Sequence, residues 1–426
     1  MRIAVIGAGP SGLTSAKNLL QAGLRDFTVF EKHTRAGGNW SAQPGHSGMY
    51  ESVRAISSTA MSGYEDFPFP PHYPPYPSRE ELLRYFDAYA DRFTVLKNVR
   101  FNTEVLRVTK AADRRWTVHL ADGSTEEYGA IFICNGHHWN PRFPHIPGTF
   151  SGQRLHSHDY GSPRPFARSR VLVIGGGNSG CDIAVQIALA AGSCTMSLRR
   201  GYYVVPRYIF GAPSDVFYSR LSWLPASVIR AAGSPLMWHM TSAYSRHVLP
   251  KPDHALLESH PVINSEFLPL VRRRRINIVP PTTGFEGQEV SFADGSCAEF
   301  DTVIFCTGYR TTFPFFDRDF LDFGDEVPPL YLRMFHPGHR DLFFIGLVQP
   351  NGCIWPLSDL QAKLAANYLA GRYTLPSNLT EVVALEVNEI RASHVRSPRH
   401  SVEVDYRRFR RRLLREIPRS APAWES

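Results

Sequence analysis

Residues 1–12 read MRIAVIGAGPSG, in which a short apolar run leads directly into a glycine-rich loop. Apolar residues at helical spacing follow, and a second apolar run over residues 27–30 then ends in Glu31. The order of strand, glycine loop, helix and strand is typical of a βαβ unit. We therefore expect this stretch to begin an α/β domain.

The loop matches the GxGxxG pattern of dinucleotide-binding folds. Glycines at these positions permit a tight turn, let a pyrophosphate approach the backbone and let the helix pack closely on the strand. The helix N-terminus attracts phosphates, and an acid about 20 residues after the loop binds a ribose hydroxyl. A dinucleotide site is therefore expected at Gly7, Ala8, Gly9, Pro10, Ser11, Gly12 and Glu31.

The same pattern occurs a second time, where the apolar run 171–174 leads into GGGNSG. Cofactor contacts are expected here from Gly175, Gly177, Asn178, Ser179, Gly180 and Cys181. The next strand ends in Arg199 and Arg200, where an acid would select NAD, and an arginine there can bind a ribose 2′-phosphate. The pair favours NADPH over NADH, with a solvated arginine pair as the alternative interpretation.

A weak internal repeat supports two related domains. An Asp-Gly turn at residues 121–124 precedes the apolar run 130–134, and a second at 293–296 precedes the run 302–306. Proline-rich segments at 141–147 and 163–165 are interpreted as the crossing between domains. The predicted division is 1–165 and 305–426 for the first domain, with 166–304 inserted as the second.

Composition narrows the class of protein. The chain has 426 residues, 43% hydrophobic and 20% charged, which suits a folded protein of two domains. The net charge of +8 includes basic runs at 272–275 and 407–412, which we interpret as solvated helix surfaces, so no nucleic-acid partner is expected. No CxxC pair occurs, and histidines 137, 138, 156 and 158 lack other ligands at suitable spacing, so no metal is expected.

The sequence gives no membrane signal. No stretch reaches the ~18 apolar residues of a membrane span, and the N-terminal residues lack the layout of a signal peptide. We therefore expect a soluble, cytoplasmic protein without a membrane anchor.

Further motifs place the chain beside a known family. The stretch Phe150–Tyr160 fits the pattern FxGxxxHxxx(Y/F), and it lies between the two glycine loops. GGNW at 37–40, DFPFP at 66–70 and CTGY at 306–309 add to the match. On these motifs, which extend over almost the whole chain, the sequence resembles the class B flavin-containing monooxygenases. Tyr160, where related Baeyer–Villiger enzymes have Trp, favours the branch that oxidises nitrogen and sulfur.

The resemblance implies a fold, two cofactors and a reaction. The fold would be α/β, with two Rossmann-like dinucleotide-binding domains and the NADP domain inserted in the FAD domain. NADPH would reduce FAD, O₂ would form a flavin 4a-hydroperoxide, and one oxygen atom would pass to a small molecule with a nucleophilic amine or thioether. The protein would exclude water and position the reacting groups.

The resemblance also assigns further residues. Gly38, Asn39 and Trp40 would form the second FAD element, and Lys32, Val105 and Gln349 would contribute to cofactor binding. Tyr160 is assigned a catalytic role. Ile56 occupies the position of a family Asn beside the flavin and the nicotinamide, and it cannot hydrogen-bond there. Ser57 or Ser58 would have to substitute, and both are therefore candidate catalytic residues.

Three alternatives stay open. Ile56 favours an NADPH oxidase or reductase of the same fold that transfers little oxygen. Baeyer–Villiger oxygenation of a ketone is a second alternative. A dinucleotide-binding regulatory module is the third, although a sensor needs only one nucleotide site. The sequence does not identify the substrate, and a homodimer is left open.

Overall fold

The computed structural model describes residues 1–41, 48–111, 115–221, 249–253, 261–324, 326–393 and 401–418. The chain divides into two compact units. The first unit comprises Met1–Ser47, Thr59–Asn140 and Arg310–Ser426. The second comprises Gly48–Ser58 and Pro141–Tyr309. The chain thus crosses between units earlier than the sequence boundary at 165 and returns after the one at 304.

Helices and short 3-10 turns lie in both units. The α-helices of the described residues are Pro10–Gln21 (α1), Thr59–Ser62 (α2), Arg79–Arg92 (α3), Asn178–Ala191 (α4), Ser214–Arg220 (α5), Phe267–Arg272 (α6), Ile354–Leu369 (α7), Leu379–Ser393 (α8) and Tyr406–Glu416 (α9). The 3-10 turns are Gly38–Ser41, Val95–Asn98 and Arg164–Phe166. Ser78 caps α3 in a capping box with Glu81, which fixes the start of that helix.

Two five-stranded sheets, parallel throughout the pairings described, form the centres of the units. Their strands are Ile3–Ile6 (β1), Phe27–Phe30 (β2), Val99–Arg100 (β3), Ala130–Ile133 (β4), Gln153–His156 (β5), Val171–Ile174 (β6), Cys194–Ser197 (β7), Ile276–Val279 (β8), Thr302–Phe305 (β9) and Leu342–Phe344 (β10). The order is β10-β4-β1-β2-β3 in the first unit and β5-β9-β6-β7-β8 in the second.

The remaining strands form smaller sheets. Val105–Lys110, Trp116–Leu120 and Thr125–Tyr128 make an antiparallel sheet in the first unit. Gly148–Phe150, Thr282–Gly287, Glu289–Phe292 and Cys297–Glu299 make a mixed one in the second. Short pairs join Val204–Val205 to Val262–Ile263, Tyr208–Ile209 to Ala212–Pro213, and Gln349–Pro350 to Glu403–Val404. Asn140–Pro141 and Tyr309–Arg310 are two further short strands.

The two central sheets repeat one topology. In the first unit β4 pairs with β1 on one side while β2 pairs on the other. In the second unit β9 and β7 flank β6 in the same way. The Asp-Gly turns also correspond, because Asp122 accepts hydrogen bonds from Ser124, as Asp294 does from Ser296. The predicted repeat and the α/β fold class are therefore confirmed.

The sequence of residues 99–134, with an Asp-Gly turn near its end, predicts a β-meander, and this prediction is wrong. Residues 99–134 do not form a single β-meander, because β3 and β4 join the parallel sheet instead. All four residues of β4 are buried, as is usual for a parallel strand covered on both faces. The antiparallel sheet consists of the three strands between them, Val105–Lys110, Trp116–Leu120 and Thr125–Tyr128.

Candidate dinucleotide sites

The first glycine loop connects β1 to α1 and leaves no room for side chains. A Cβ atom on Gly12 would lie 1.8 Å from the carbonyl oxygen of Gly7, so only glycine lets the helix approach the loop this closely. No side chain caps α1, and its first turn holds no acid. The backbone N–H groups there are therefore suited to a phosphate ligand.

Glu31 fixes the loop from the end of β2. Its buried carboxylate accepts hydrogen bonds from the backbone N–H of Ala8 at 2.8 Å and of His33 at 3.0 Å. A buried charge needs such partners because desolvation alone would be costly. The acid predicted to bind a ribose hydroxyl thus lies directly beside the loop.

The second glycine element lies against the first. The N–H of Gly37 donates to the carbonyl of Ala8 at 3.0 Å, and a Cβ on Gly38 would lie 3.0 Å from the Cα of Gly9. Asn39 donates to the carbonyl of His138 at 3.0 Å. Two backbone segments without side chains therefore meet where a pyrophosphate would cross.

The other residues assigned to the first site make separate contacts within the first unit. Trp40 packs edge-on against Trp355, with ring centroids 5.8 Å apart. The Lys32 ammonium lies 5.7 Å from the centre of the Trp139 ring. Gln349 contacts the ring of His137 at 3.4 Å, and burial lowers the pKa of His137 to about 4. Val105 begins the antiparallel sheet and packs at the edge of the core.

The first site has a further support that the sequence interpretation missed. Gln361 on α7 is fully buried, accepts from the N–H of Gly346 at 3.0 Å and donates to the carbonyl of Leu332 at 3.1 Å. A Cβ on Gly346 would lie 2.2 Å from the Ser11 hydroxyl. Gln361 therefore holds the backbone after β10 against the start of α1. Gln361 gave no distinct signal in the sequence, because α7 also carries Ser358, Asp359, Lys363 and Asn367.

Beneath this site, α1 and α7 are joined by a buried ion cluster. The Lys17 ammonium is 2.7 Å from Asp66 and 2.7 Å from Asp359. Burial alone would lower the pKa of Lys17, but the carboxylates of Asp359 and Asp66 raise it above its ordinary value. The DFPFP motif thus contributes Asp66 to the support of α1, which the sequence alone did not reveal.

The second glycine loop repeats the geometry of the first. A Cβ on Gly180 would lie 2.1 Å from the carbonyl oxygen of Gly175. Helix α4 begins after Gly177 with no side-chain cap and no acid in its first turn. This helix end is therefore also suited to a phosphate ligand.

Other residues of this motif are committed to contacts within the second unit. Asn178 accepts from the N–H of Ile263 at 2.9 Å. Cys181 is buried and directs its thiol towards the carbonyl of Gly176, with Sγ and O 3.7 Å apart. Ser179 is partly buried in the first turn of α4. Cys181 and Gly176 also line a small apolar cavity with Leu198, Tyr202, Val204, Leu249 and Phe267.

Arg199 and Arg200 follow β7, which ends earlier than expected, at Ser197. Arg199 is exposed and Arg200 partly buried. Neither makes an ion pair with an acid among the residues that the structure describes. The neighbouring Tyr202 and Leu198 lie against Gly176, where a Cβ would be 2.6 Å from the tyrosine ring. The arginines therefore follow a segment that lines the glycine loop.

Residues 48–58 belong to the second unit although the chain on either side belongs to the first. Ile56 has 36% of its surface exposed, whereas Ser58 is fully buried. The Ser58 backbone N–H donates to Asp215 at 2.5 Å, and its hydroxyl has no hydrogen-bond partner among the described residues. Ser57 is partly buried. The structure thus distinguishes the two serines, and only Ser58 places a hydroxyl in the interior.

The fingerprint Phe150–Tyr160 lies within the second unit. Phe150 is in its core, and a Cβ on Gly152 would lie 2.5 Å from the carbonyl of Asp301. Tyr160 is buried, and its hydroxyl donates to Gln186 at 3.3 Å. The structure therefore gives these residues contacts that organise the second unit, and a catalytic role of Tyr160 stays a prediction.

Asp182 was also missed as a site residue. It follows Asn178 by one turn of α4, and its carboxylate accepts from the hydroxyl of Tyr50 and from the Asn264 amide at 3.3 Å. Burial raises the pKa of Asp182, against the opposing effect of the Tyr50 hydrogen bond and Arg207. Asn178, Asp182 and Gln186 recur at four-residue spacing, and this polar row on α4 was the signal.

Two glycine loops of equal geometry, each after a parallel strand and before an uncapped helix, define an oxidoreductase class that binds two dinucleotides. The family model of flavin-binding monooxygenase-like proteins matches residues 1–420. Flavin-containing monooxygenase 5 of Cavia porcellus is 34% identical over 95% of this chain and 80% of its own length. Dimethylaniline monooxygenase (N-oxide-forming) 2 of Rattus norvegicus is 33% identical over 92% and 77%.

Solved structures agree. The S-allyl-L-cysteine S-oxygenase of Allium sativum superposes with a TM-score of 0.73 at 25% identity, over 98% of this chain and 88% of that one. A cyclohexanone-bound cyclohexanone monooxygenase has the same fold, with a TM-score of 0.76 at 18% identity over 97% and 96%. The chain belongs to the flavin-binding monooxygenase-like family. It is a flavin-dependent oxidoreductase whose cofactors are FAD and NADPH.

The described residues provide neither a metal site nor a membrane span. Across the described ranges, no three His, Cys, Asp or Glu side chains are grouped so that they could hold a metal ion. Of the helices described, none combines the length and apolar character needed to cross a membrane.

Proposed function

We propose that the chain is an NADPH-dependent monooxygenase that transfers one oxygen atom from O₂ to the nitrogen of an amine or the sulfur of a thioether. FAD binds at the first glycine loop and NADPH at the second, with the site residues assigned above. The observation that carries the proposal is the presence of both loops in the binding geometry together with the Tyr160 form of the fingerprint. Relatives named as N-oxide-forming and S-oxygenating enzymes support this substrate class.

The residues of the chain have separate tasks in this scheme. FAD supplies the redox and oxygen chemistry when it is bound. The N-termini of α1 and α4 hold the two pyrophosphates, Glu31 holds a ribose, and Arg199 and Arg200 bind the 2′-phosphate of NADPH. Ser58, two positions after Ile56, is itself fully shielded from water. Oxygen transfer needs no acid–base triad from the protein.

A second function has its own support in Ile56. An apolar side chain at this position donates no hydrogen bond to a bound cofactor, so Ile56 would let a larger share of the electrons from NADPH end in H₂O₂. The alternative is an NADPH oxidase of the same fold. The cytoplasmic location and the homodimer considered from the sequence stay predictions.

The deciding experiment uses the FAD-loaded protein reduced anaerobically with NADPH and then mixed with ¹⁸O₂. N,N-dimethylaniline and thioanisole are the probes, with cyclohexanone as a ketone probe. We expect ¹⁸O in the N-oxide or sulfoxide and less than one H₂O₂ per NADPH.

In Ile56→Asn we expect H₂O₂ per NADPH to fall severalfold, because the amide restores a hydrogen-bond donor. Ile56→Leu is the matched control and should resemble the native chain.

Each contrary result has a definite meaning. One H₂O₂ per NADPH with every probe would replace the monooxygenase by the oxidase. A labelled lactone from cyclohexanone, without N- or S-oxide, would assign Baeyer–Villiger chemistry. A flavin that NADPH does not reduce would exclude both and favour a regulatory module.

A further inference from the structure

Residues 48–58 form a strap that we define by its contacts. The chain enters the strap from the first unit and returns to that unit at Thr59, but the strap itself packs in the second unit. Its two ends are each held by an aspartate. Tyr50 donates its hydroxyl to Asp182 on α4, and the N–H of Ser58 donates to Asp215 on α5 at 2.5 Å.

The Tyr50 end of the strap is buried in the second unit. Tyr50 is 4% exposed, and its ring lies edge-on to Tyr160 with centroids 5.5 Å apart. Burial and the Asp182 carboxylate raise the pKa of Tyr50, so the phenol keeps its proton and remains a donor. A hydrogen bond to an ionised carboxylate is among the stronger ones in proteins.

The two aspartates belong to one connected network. An Arg207 guanidinium nitrogen lies 3.9 Å from Asp182, and the Arg207 carbonyl accepts from the N–H of Ser214 at 2.9 Å. Ser214 begins α5 and precedes Asp215. The two attachment points of the strap are thus linked through Arg207, although 33 positions separate Asp182 from Asp215 (215 − 182).

The same network reaches the second glycine loop. Asn178, in the first turn of α4, accepts from the N–H of Ile263, while the adjacent Asn264 donates to Asp182 at 3.3 Å. One turn of α4 separates Asn178 from Asp182, which is ~6 Å along the axis. A dinucleotide that orders the first turn of α4 would therefore also order the carboxylate that holds Tyr50.

We propose that Asp182 and Asp215 are positioning residues that couple the NADPH site to the strap, so that dinucleotide bound at α4 fixes the placement of Ile56, Ser57 and Ser58. The inference rests on the proposed function for its catalytic consequence. Loss of either attachment would leave NADPH able to bind and to reduce FAD. The loosened strap would then raise the share of electrons that ends as H₂O₂.

The test is hydrogen exchange of the FAD-loaded full chain with and without NADP⁺, read by mass spectrometry. We expect NADP⁺ to slow exchange in residues 175–185 and also in the strap. In Tyr50→Phe and Asp215→Ala, each of which removes one attachment of the strap, we expect severalfold less protection of the strap, with the protection of 175–185 retained. H₂O₂ per NADPH should rise at least twofold in both variants.

Tyr128→Phe is the matched control. Tyr128 is a buried tyrosine that donates to a carboxylate, Glu126, at 2.8 Å in the antiparallel sheet of the first unit. Loss of the Tyr128 hydroxyl should lower thermal stability without changing the protection of the strap or H₂O₂ per NADPH. The inference is overturned if NADP⁺ protects 175–185 but not the strap, or if Tyr50→Phe and Tyr128→Phe behave alike.

The exchange readout also separates this inference from the proposed function. A native chain whose strap is protected by NADP⁺ but which transfers no oxygen would retain the coupling and refute the monooxygenase. Absence of any protection by NADP⁺ would overturn the coupling and the second binding site together.

Discussion

Arg199 and Arg200 lie at the carboxyl end of β7, the edge at which ligands bind in parallel sheets. If they bind the 2′-phosphate, replacing both with serine should raise the KM for NADPH by about 10- to 100-fold, since charge-assisted contacts of this kind contribute ~1.5–3 kcal/mol. The KM for NADH should change little. Steady-state kinetics with both nucleotides provide the measurement.

Arg168→Ser is the control for that pair. Arg168 is exposed and precedes β6, so it lies towards the opposite edge of the same sheet. It should leave both KM values unchanged. Equal losses for NADPH and NADH in the double variant would show that the arginines do not distinguish the two nucleotides.

For single residues, the sequence predicted roles within one βαβ unit but not contacts between distant positions. Glu31 and the loop glycines could be predicted because their roles depend on neighbours within one βαβ unit. Tyr50 and Asp182 could not, since the two are 132 positions apart and nothing local pairs them. Ile56 was found only through the family pattern, and its partial exposure came from the fold.

Helices α1 and α4 are each held to their loop by a glycine that admits no Cβ. Gly12→Ala should abolish FAD retention, because the added atom would lie 1.8 Å from a backbone oxygen. Gly180→Ala, at 2.1 Å, should give a yellow protein that dithionite reduces and NADPH does not. Flavin absorbance per protein and anaerobic reduction measure both effects.

Gly161→Ala is the control for the two helices, because a Cβ there meets nothing within 4 Å. It should retain FAD and be reduced by NADPH. A Gly180→Ala protein that NADPH reduces at the native rate would place NADPH elsewhere.

Among the structural elements, the sequence predicted those that are set by side chains close together in the chain. The Asp-Gly turns could be predicted because each is set by side chains two positions apart. The assignment of β3 and β4 to the parallel sheet was not predictable from their spacing, because pairing with β2 and β1 is a long-range choice.

For the whole molecule, buried histidines predict how stability depends on pH. Burial lowers the pKa of His137, His156 and His336 to about 4. The unfolded chain would take up these protons near pH 6.5. The contribution of the three neutral histidines to the free energy of unfolding is therefore fully present above that pH and is lost as the pH falls towards 4. Thermal midpoints measured from pH 7.5 to 4 should decline accordingly.

His336→Asn isolates one of these groups. The ring nitrogen of His336 accepts from the N–H of Gly338 at 3.2 Å and of His339 at 3.1 Å. An Asn oxygen can accept similarly without titrating, so the decline should be shallower by on the order of 2 kcal/mol at pH 4. His119→Asn, on the antiparallel sheet, serves as the control. An unchanged slope in His336→Asn would show that His336 is not buried in its neutral form.

The strap has a consequence for how this architecture can be inherited. A continuous gene fragment encoding residues 141–309 would omit Tyr50, and with it a ring of the core and the donor to Asp182. The unit that contains the second glycine loop therefore cannot be exchanged as one continuous segment. Recombination that exchanged it between relatives would have to transfer eleven residues (48–58) from elsewhere in the gene as well. Selection should consequently act on the two coding stretches as one unit.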